Sequence, residues 1–136
     1  MPQTTVISFF KYEGLKTKWQ ALGRMRRPPL LKTSIEGLTF WKALGSGSGN
    51  GFSIWPDFST FGLLTVFDNE AQAQKFIASE IISEYTENSE QFSHVLMHSV
   101  KAHGKWSKQE PFKSGTKYDE TKPIAVITRA TIKPKL

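Results

Sequence analysis

Leu44-Gly45-Ser46-Gly47-Ser48-Gly49-Asn50-Gly51-Phe52-Ser53-Ile54-Trp55-Pro56 is the stretch around which the chain is organised. Its four glycines at alternate positions free the backbone to adopt positive φ and let another group approach closely. Asn50 and Phe52 stand where a dinucleotide fingerprint needs glycine, and Phe52 also stands where a P-loop needs lysine. Gly47 replaces the serine of a Gly-x-Ser-x-Gly nucleophile elbow. The stretch is therefore predicted to be a loop between strands.

Strands are predicted on both sides of this loop. Leu38–Leu44 precedes it and Thr60–Phe67 follows it, and both segments are rich in the β-branched and aromatic residues that favour strands. Thr4–Tyr12, Phe92–Ala102 and Ile124–Ile132 have the same character. The chain thus contains five predicted strands, whose apolar residues lie on both faces.

Two helices are predicted between these strands. The first carries Leu15, Trp19 and Leu22 at helical spacing and ends at Pro28-Pro29. The second opens at Asp68-Asn69-Glu70, where Asn69 and Gln72 fit a capping box. Its apolar stripe consists of Ala73, Phe76, Ile77, Ile81 and Tyr85.

The order of elements is β-α-β-β-α-β plus one extra C-terminal strand, which is the ferredoxin-like α+β arrangement. Helices would cover one face of an antiparallel sheet. Because the strands are apolar on both sides, we expect the other face to be covered by a second sheet, from another chain or from a repeat. Residues 1–107 are predicted to form the ferredoxin-like domain, 108–122 a polar linker, and 123–136 an extra strand that either starts a second repeat or is swapped.

The composition excludes several classes of protein. The chain has 136 residues, enough for one domain with its own core, and no cysteine, so disulfides and thiolate chemistry are excluded. No apolar run has the roughly 18 residues of a membrane helix, and the N-terminus lacks a signal-peptide pattern, so a cytoplasmic location is predicted. The net charge of +6 permits an anionic partner, but no RNP-type aromatic motif supports RNA binding, and we predict no nucleic-acid partner.

Three histidines are the candidate metal ligands. His94 and His98 lie four apart, and on a strand this spacing separates them by roughly 13 Å, too far for one ion. His98 or His103 alone could ligate a haem. His103 precedes Gly104-Lys105-Trp106 at a strand exit, where function as a ligand or proton donor and a structural role are equally open.

Charged and aromatic residues near the strand ends are the candidate ligand-binding groups. Arg129 and Lys42 lie within apolar strands, where a cation is costly unless it is paired, so each either binds an anionic group or pairs with a carboxylate. The candidate wall of an apolar pocket consists of Trp41, Phe52, Trp55 and Trp106, beside Gly45 and Gly47.

Three segments resemble the spheroidene monooxygenase family, the acyclic carotenoid ketolases. They are Gly37–Phe52, Ser99–Phe112 and Pro123–Pro134, which include Gly37-Leu38-Thr39-Phe40-Trp41-Lys42 and Thr128-Arg129-Ala130-Thr131-Ile132. Their order and spacing match over nearly the whole chain. The resemblance is to the N-terminal portion of the family, whose members continue for roughly another repeat.

The resemblance implies a dimeric α/β-barrel and oxygen insertion into a long polyene with the help of haem. Such a site needs an axial ligand, an apolar tunnel and cations for the propionates. In the family the axial histidine is expected in the second half, so catalysis by this chain alone is an open question. The chain is either a natural short homologue or a fragment.

The first hypothesis is therefore a carotenoid oxygenase-like protein, a homodimer that binds an apolar small molecule and contacts a membrane peripherally to reach it. The second is a non-catalytic binding or sensing module of the same fold. An RNA-binding module ranks last.

Overall fold

The computed structural model describes residues 3–14, 35–47, 56–87, 89–113, 115 and 117–128. Within these ranges the chain forms four strands and two helices. The strands are β1 (Thr4–Lys11), β2 (Leu38–Gly47), β3 (Pro56–Phe67) and β4 (Gln91–His98), and the helices are α1 (Glu70–Ile77) and α2 (Glu80–Thr86). The predicted helix through Leu15, Trp19 and Leu22 lies outside the described residues.

The four strands form one antiparallel sheet in the order β2-β3-β1-β4. β1 is central and pairs along its whole length with both neighbours: Thr4 lies opposite Phe67 on β3 and opposite His98 on β4. This strand order, with helices between β3 and β4, is the ferredoxin-like topology that the sequence predicts.

One face of the sheet is covered by the two helices. Val6 and Phe10 of β1 and Phe67 of β3 are nearly or fully buried on this face, where they contact Phe76 of α1 and Tyr85 of α2. The Phe10 and Tyr85 rings stack with their centroids 5.1 Å apart. Because side chains alternate between the faces of a strand, every second residue of β1 points into this core.

The single helix predicted after Asp68 is divided in two. Asn69 caps α1 by accepting a hydrogen bond from the backbone N–H of Gln72 at 3.0 Å, as the capping pattern predicts. The α1 helix ends at Ala78 because Ser79 adopts an extended backbone, and its hydroxyl donates to the Phe76 carbonyl at 2.6 Å. The break turns Ile82 into the core, and Ile81, which the unbroken stripe predicts there, packs partly buried against the same cluster.

The hairpin of β2 and β3 extends further into the glycine stretch than the sequence predicts. Gly45 and Gly47 belong to β2, and Gly47 is the register partner of Pro56 on β3. A register shift between Gly45 and Ser46 marks an irregularity there. The loop expected from residue 45 onward is thus restricted to residues 48–55, which lie outside the described residues.

The fifth strand predicted at Ile124–Ile132 is wrong over its described part. Residues 123–128 form neither helix nor strand, and their side chains are exposed. Strand propensity alone does not make a strand: a segment needs a neighbour for its backbone groups, and none of the described strands adjoins this one. The division of the chain into 1–107, 108–122 and 123–136 stays a prediction.

The second face of the sheet, which we call the open face, is also largely apolar. Cross-strand register arranges it in three rows running from β2 to β4. The rows are Phe40-Val66-Thr5-Met97, Lys42-Leu64-Ile7-Val95 and Leu44-Gly62-Phe9-Ser93. Neither described helix covers this face.

Replacing Gly37 with alanine is expected to destabilise the fold. Gly37 has φ +79°, and a Cβ there would lie 1.8 Å from Oε1 of Gln72. Strain and collision together are expected to lower the free energy of unfolding by about 1–3 kcal/mol. Urea denaturation checks this, with Gly62→Ala as the matched control because its Cβ would lie 3.4 Å from the nearest atom. Equal losses in the two variants would contradict the prediction.

Candidate functional site

Lys42 is the charged residue in the three rows of the open face, and it stands between Phe40 and Leu44 along one face of β2. The Nζ atom of Lys42 lies 5.8 Å from the centroid of the Phe40 ring. None of the ion pairs among the described residues includes Lys42. Its ammonium group therefore projects from an apolar surface with capacity for further hydrogen bonds.

A tight turn beyond β4 folds back onto this part of the sheet. The backbones of Trp106 and Gln109 exchange two hydrogen bonds of 2.7 and 3.0 Å, and Ser107 and Lys108 between them both have positive φ. Such a two-residue turn normally favours Asn or Gly, so these two residues are strained. The turn brings the Ser107 hydroxyl into hydrogen-bonding contact with the Lys42 ammonium.

The turn is held in place by aromatic packing. The Trp106 ring lies 5.7 Å from the Phe40 ring, centroid to centroid, and Phe112 joins the same apolar cluster with Leu64 and Val66. Gln3 fastens the next part of the chain, because its side chain donates to the Pro111 carbonyl at 3.0 Å. The Trp106–Phe112 segment thus covers the β2 and β3 half of the open face.

A cavity of about 470 Å³ lies between β2 and the turn. Its lining combines an aromatic side with a polar side that includes the Lys42 ammonium and the Ser107 hydroxyl. The full lining is Leu38, Thr39, Phe40, Trp41, Lys42, Ser107 and Gln109. Apolar walls with a few polar groups are the usual construction of a small-molecule site.

Three of the predicted site residues meet at this cavity or its rim: Trp41, Lys42 and Trp106. Trp41 also packs against the helix-side core, and Trp106 contacts Phe40 from the open face. Gly45 and Gly47 lie further along β2. Phe52, Trp55 and Arg129 lie outside the described residues.

The two candidate haem ligands do not line this cavity. His103 is exposed after the end of β4. His98 lies on β4, at the opposite edge of the sheet, and its Nε2 atom is buried without a hydrogen-bond partner. Haem ligation by His98 or His103 stays a prediction from the family resemblance.

No cluster of three His, Asp or Glu side chains that could hold a metal ion occurs within the described ranges. Over the same ranges, no helix combines the length and apolar character needed to cross a membrane.

A third histidine forms a partly buried polar pair on the helix side. His94 Nδ1 lies 2.8 Å from the hydroxyl oxygen of Ser8, which is fully buried. Phe10 and Phe92 flank the imidazole, with ring centroids 6.2 and 5.8 Å away. Burial lowers the pKa of His94, because desolvation disfavours the charged imidazolium.

Sequence reasoning missed the polar side of the cavity. Ser107 and Gln109 are distant from Lys42 along the chain, and only the fold of the turn brings them together. Phe40, Lys42 and Leu44 occupy alternate positions of one strand, so the sequence alone indicates that their side chains share a face.

The architecture is shared with solved ferredoxin-like structures. A protein of unknown function from Nitrosomonas europaea superposes with a TM-score of 0.54 and 20% identity, covering 79% of this chain and 98% of its own. A dimeric protein of unknown function with a ferredoxin-like fold from Bacteroides fragilis gives a TM-score of 0.50 at 15% identity, covering 71% and 95%. The α+β, ferredoxin-like fold class is confirmed.

The sequence itself is similar to spheroidene monooxygenases over nearly its whole length, which confirms the resemblance read from the three segments. The protein from Cereibacter sphaeroides is 33% identical over 132 residues, and the match covers 96% of this chain. That from Rubrivivax gelatinosus is 34% identical over 99 residues, or 72% of this chain. The chain spans 41% and 38% of the lengths of these two relatives. No family model matches the sequence.

The stability of the protein is expected to fall below about pH 6.5, the ordinary pKa of histidine. Because the pKa of His94 is lowered in the folded state, the unfolded chain binds more protons as the pH falls through this range. Stability is fully present above pH 6.5 and decreases toward pH 5. Urea denaturation at several pH values checks this, and His94→Gln should flatten the profile, with His103→Gln as the exposed control. An unchanged profile in His94→Gln would contradict the role of burial.

Proposed function

We propose that this chain forms part of a monooxygenase that acts on a long apolar polyene of the carotenoid class, and that the polyene lies on the open face. The observation that carries the proposal is the similarity to spheroidene monooxygenases over 96% of the chain. Because the chain spans only 41% of that relative's length, the activity of the whole relative is proposed here and not assigned.

The open face has the chemistry that a polyene requires. A polyene offers no hydrogen bonds along its length, so it binds by apolar contact over an extended surface, roughly 25 cal/mol per Å² removed from water. The row Leu44-Gly62-Phe9 supports this, because it presents two apolar side chains on either side of a glycine. Phe9 is 44% exposed and so offers its ring to a ligand.

Lys42 gives one end of this surface a polar group. We assign it the recognition of an anionic or carbonyl oxygen of the ligand, assisted by Ser107, while Phe40, in contact with Trp106, forms the apolar wall beside it and Trp41 lines the cavity from the other face of β2. A charge-assisted hydrogen bond to such an oxygen is stronger than a neutral one. The cavity would thus fix the position of the polyene along the sheet.

A second copy of the chain is proposed to cover the rest of the open face. The Trp106–Phe112 segment reaches only the β2 and β3 half, while Phe9 and Val95 stay exposed on the other half. A homodimer would bury these residues and enclose the ligand between two sheets. The net charge of +6 would favour peripheral contact with anionic lipid, where an apolar substrate is found.

Haem dependence stays a prediction from the family resemblance. In this proposal, the described residues bind the polyene, orient it on the sheet and exclude water from it. The alternative function is a non-catalytic binding module of the same fold. It would bind the ligand on the same face but would not oxygenate it.

Oxygenation separates these two functions. We expect the protein, given a carotenoid, oxygen, a reductant and added haem, to form a product heavier by one oxygen atom, detected by mass spectrometry. Carotenoid binding without product would favour the binding module, and the absence of binding would remove both functions. A reaction without protein is the control.

A large side chain at Gly62 is expected to weaken polyene binding. Gly62→Leu would place a side chain between Leu44 and Phe9 and reduce affinity by about tenfold, or roughly 1.4 kcal/mol. Quenching of tryptophan fluorescence by an acyclic carotenoid measures the affinity. Val100→Leu is the control, since Val100 lies beyond β4 and outside the open face. Equal affinities in the two variants would place the ligand elsewhere.

The role of Lys42 predicts a preference between ligands. A polyene carboxylate should bind the native protein more tightly than an uncharged polyene of equal length. Lys42→Met keeps the apolar stem and removes the charge, so it should abolish this preference, a change of about tenfold. Lys105→Met is the control with a similarly placed exposed cation. A preference that survives in Lys42→Met would contradict the assignment.

A further inference from the structure

We propose that Ser107 is a specificity-determining residue of the Lys42 cavity. The turn between Trp106 and Gln109 holds its hydroxyl beside Lys42 as a second hydrogen-bond donor, and the two donors select a ligand oxygen that only accepts hydrogen bonds, as in a ketone or a carboxylate, over an alcohol. This inference rests on the proposed function, in which the polar end of a polyene binds at Lys42. It deepens that function by naming the functional group that is recognised and the residue that recognises it.

The hydrogen bond between Lys42 and Ser107 can run in one direction only. An ammonium group carries three donors and no acceptor, so the Nζ of Lys42 donates and the Oγ of Ser107 accepts. The hydroxyl proton of Ser107 is not used in this bond and can be donated to a ligand. Because both residues line the same cavity, an N–H and an O–H donor converge there.

Two converging donors suit an oxygen atom that has two lone pairs and no proton. A ketone or carboxylate oxygen accepts from both residues at once. An alcohol can accept the same two bonds, but its own O–H then needs a separate acceptor, and an unsatisfied donor is costly. The amide of Gln109 also lines the cavity, but its side chain is exposed and must give up water to supply that acceptor. The alcohol therefore gains less from this site than the ketone.

The turn that places Ser107 is strained. Ser107 and Lys108 have φ values of 53° and 64°, and they are the two non-glycine residues with positive φ in the part of the chain that the structure describes. Two backbone hydrogen bonds between Trp106 and Gln109 close the turn, and Asn-Gly is the dipeptide that adopts this geometry with little strain. Strained backbone that a different sequence would relieve is typical of sites where the geometry serves binding.

Anchors on both sides of the turn fix it before a ligand arrives. On one side, the Trp106 ring lies 5.7 Å from the Phe40 ring, centroid to centroid. On the other side, the side chain of Gln3 donates to the Pro111 carbonyl at 3.0 Å. The hydroxyl of Ser107 is thus held in position in the free protein, and binding does not have to order it.

A pair of polyenes that differ only in one functional group tests the selection. The probes are a polyene methyl ketone and the secondary alcohol obtained by reducing it, and their affinities are measured by quenching of tryptophan fluorescence. We expect the native protein to bind the ketone about fivefold more tightly, the effect of one hydrogen bond. Ser107→Ala should remove this preference. Lys108→Ala is the matched control, because it places alanine at the neighbouring residue of positive φ and leaves the hydroxyl in place.

The outcomes separate this inference from the proposed function. Equal binding of ketone and alcohol by the native protein would overturn the selection by Ser107 and leave the polyene site standing. Binding of neither probe would overturn both. A preference that survives in Ser107→Ala, or that is lost equally in Lys108→Ala, would show that the hydroxyl does not select the ligand.

Relief of the strain is a separate test of the turn. Lys108→Gly should raise the urea midpoint of unfolding, because glycine adopts positive φ without strain, and it should keep the preference for the ketone. Lys105→Gly is the control outside the turn. It should lower the midpoint, because glycine there only adds freedom to the unfolded chain. A midpoint that falls equally in both variants would overturn the strained turn as the element that positions Ser107.

Discussion

Both faces of this sheet are apolar, and the helices that follow β3 cover only one of them. That constraint governs the rest of the molecule. On the helix side, Phe10, Phe67 and Phe76 form a closed core, and the burial of Ser8 is compensated by its hydrogen bond to His94. On the open side, the chain provides only the Trp106–Phe112 segment, which packs on Phe40, Leu64 and Val66. The exposed remainder is where a ligand and a second copy are proposed to bind.

The described residues of the cavity are suited to holding a ligand. Lys42 and Ser107 can hold an oxygen atom of a ligand, and the aromatic wall can position a polyene. The histidines are placed otherwise: His94 is engaged with Ser8, His98 faces the buried side of β4, and His103 is exposed. The similarity to spheroidene monooxygenases extends over less than half the length of those two relatives.

The sequence by itself determined the fold class and the approximate positions of the four strands of the sheet, because strand-favouring composition and the Asn69 cap are local properties. It also determined that Phe40, Lys42 and Leu44 share a face. Only the tertiary structure decided that Ser107 reaches Lys42, that Ser79 divides the helix, and that Ile124 and Val126 lie without a strand beside them. Those outcomes depend on contacts between residues far apart in the chain, and a local pattern carries no information about which distant neighbour is present.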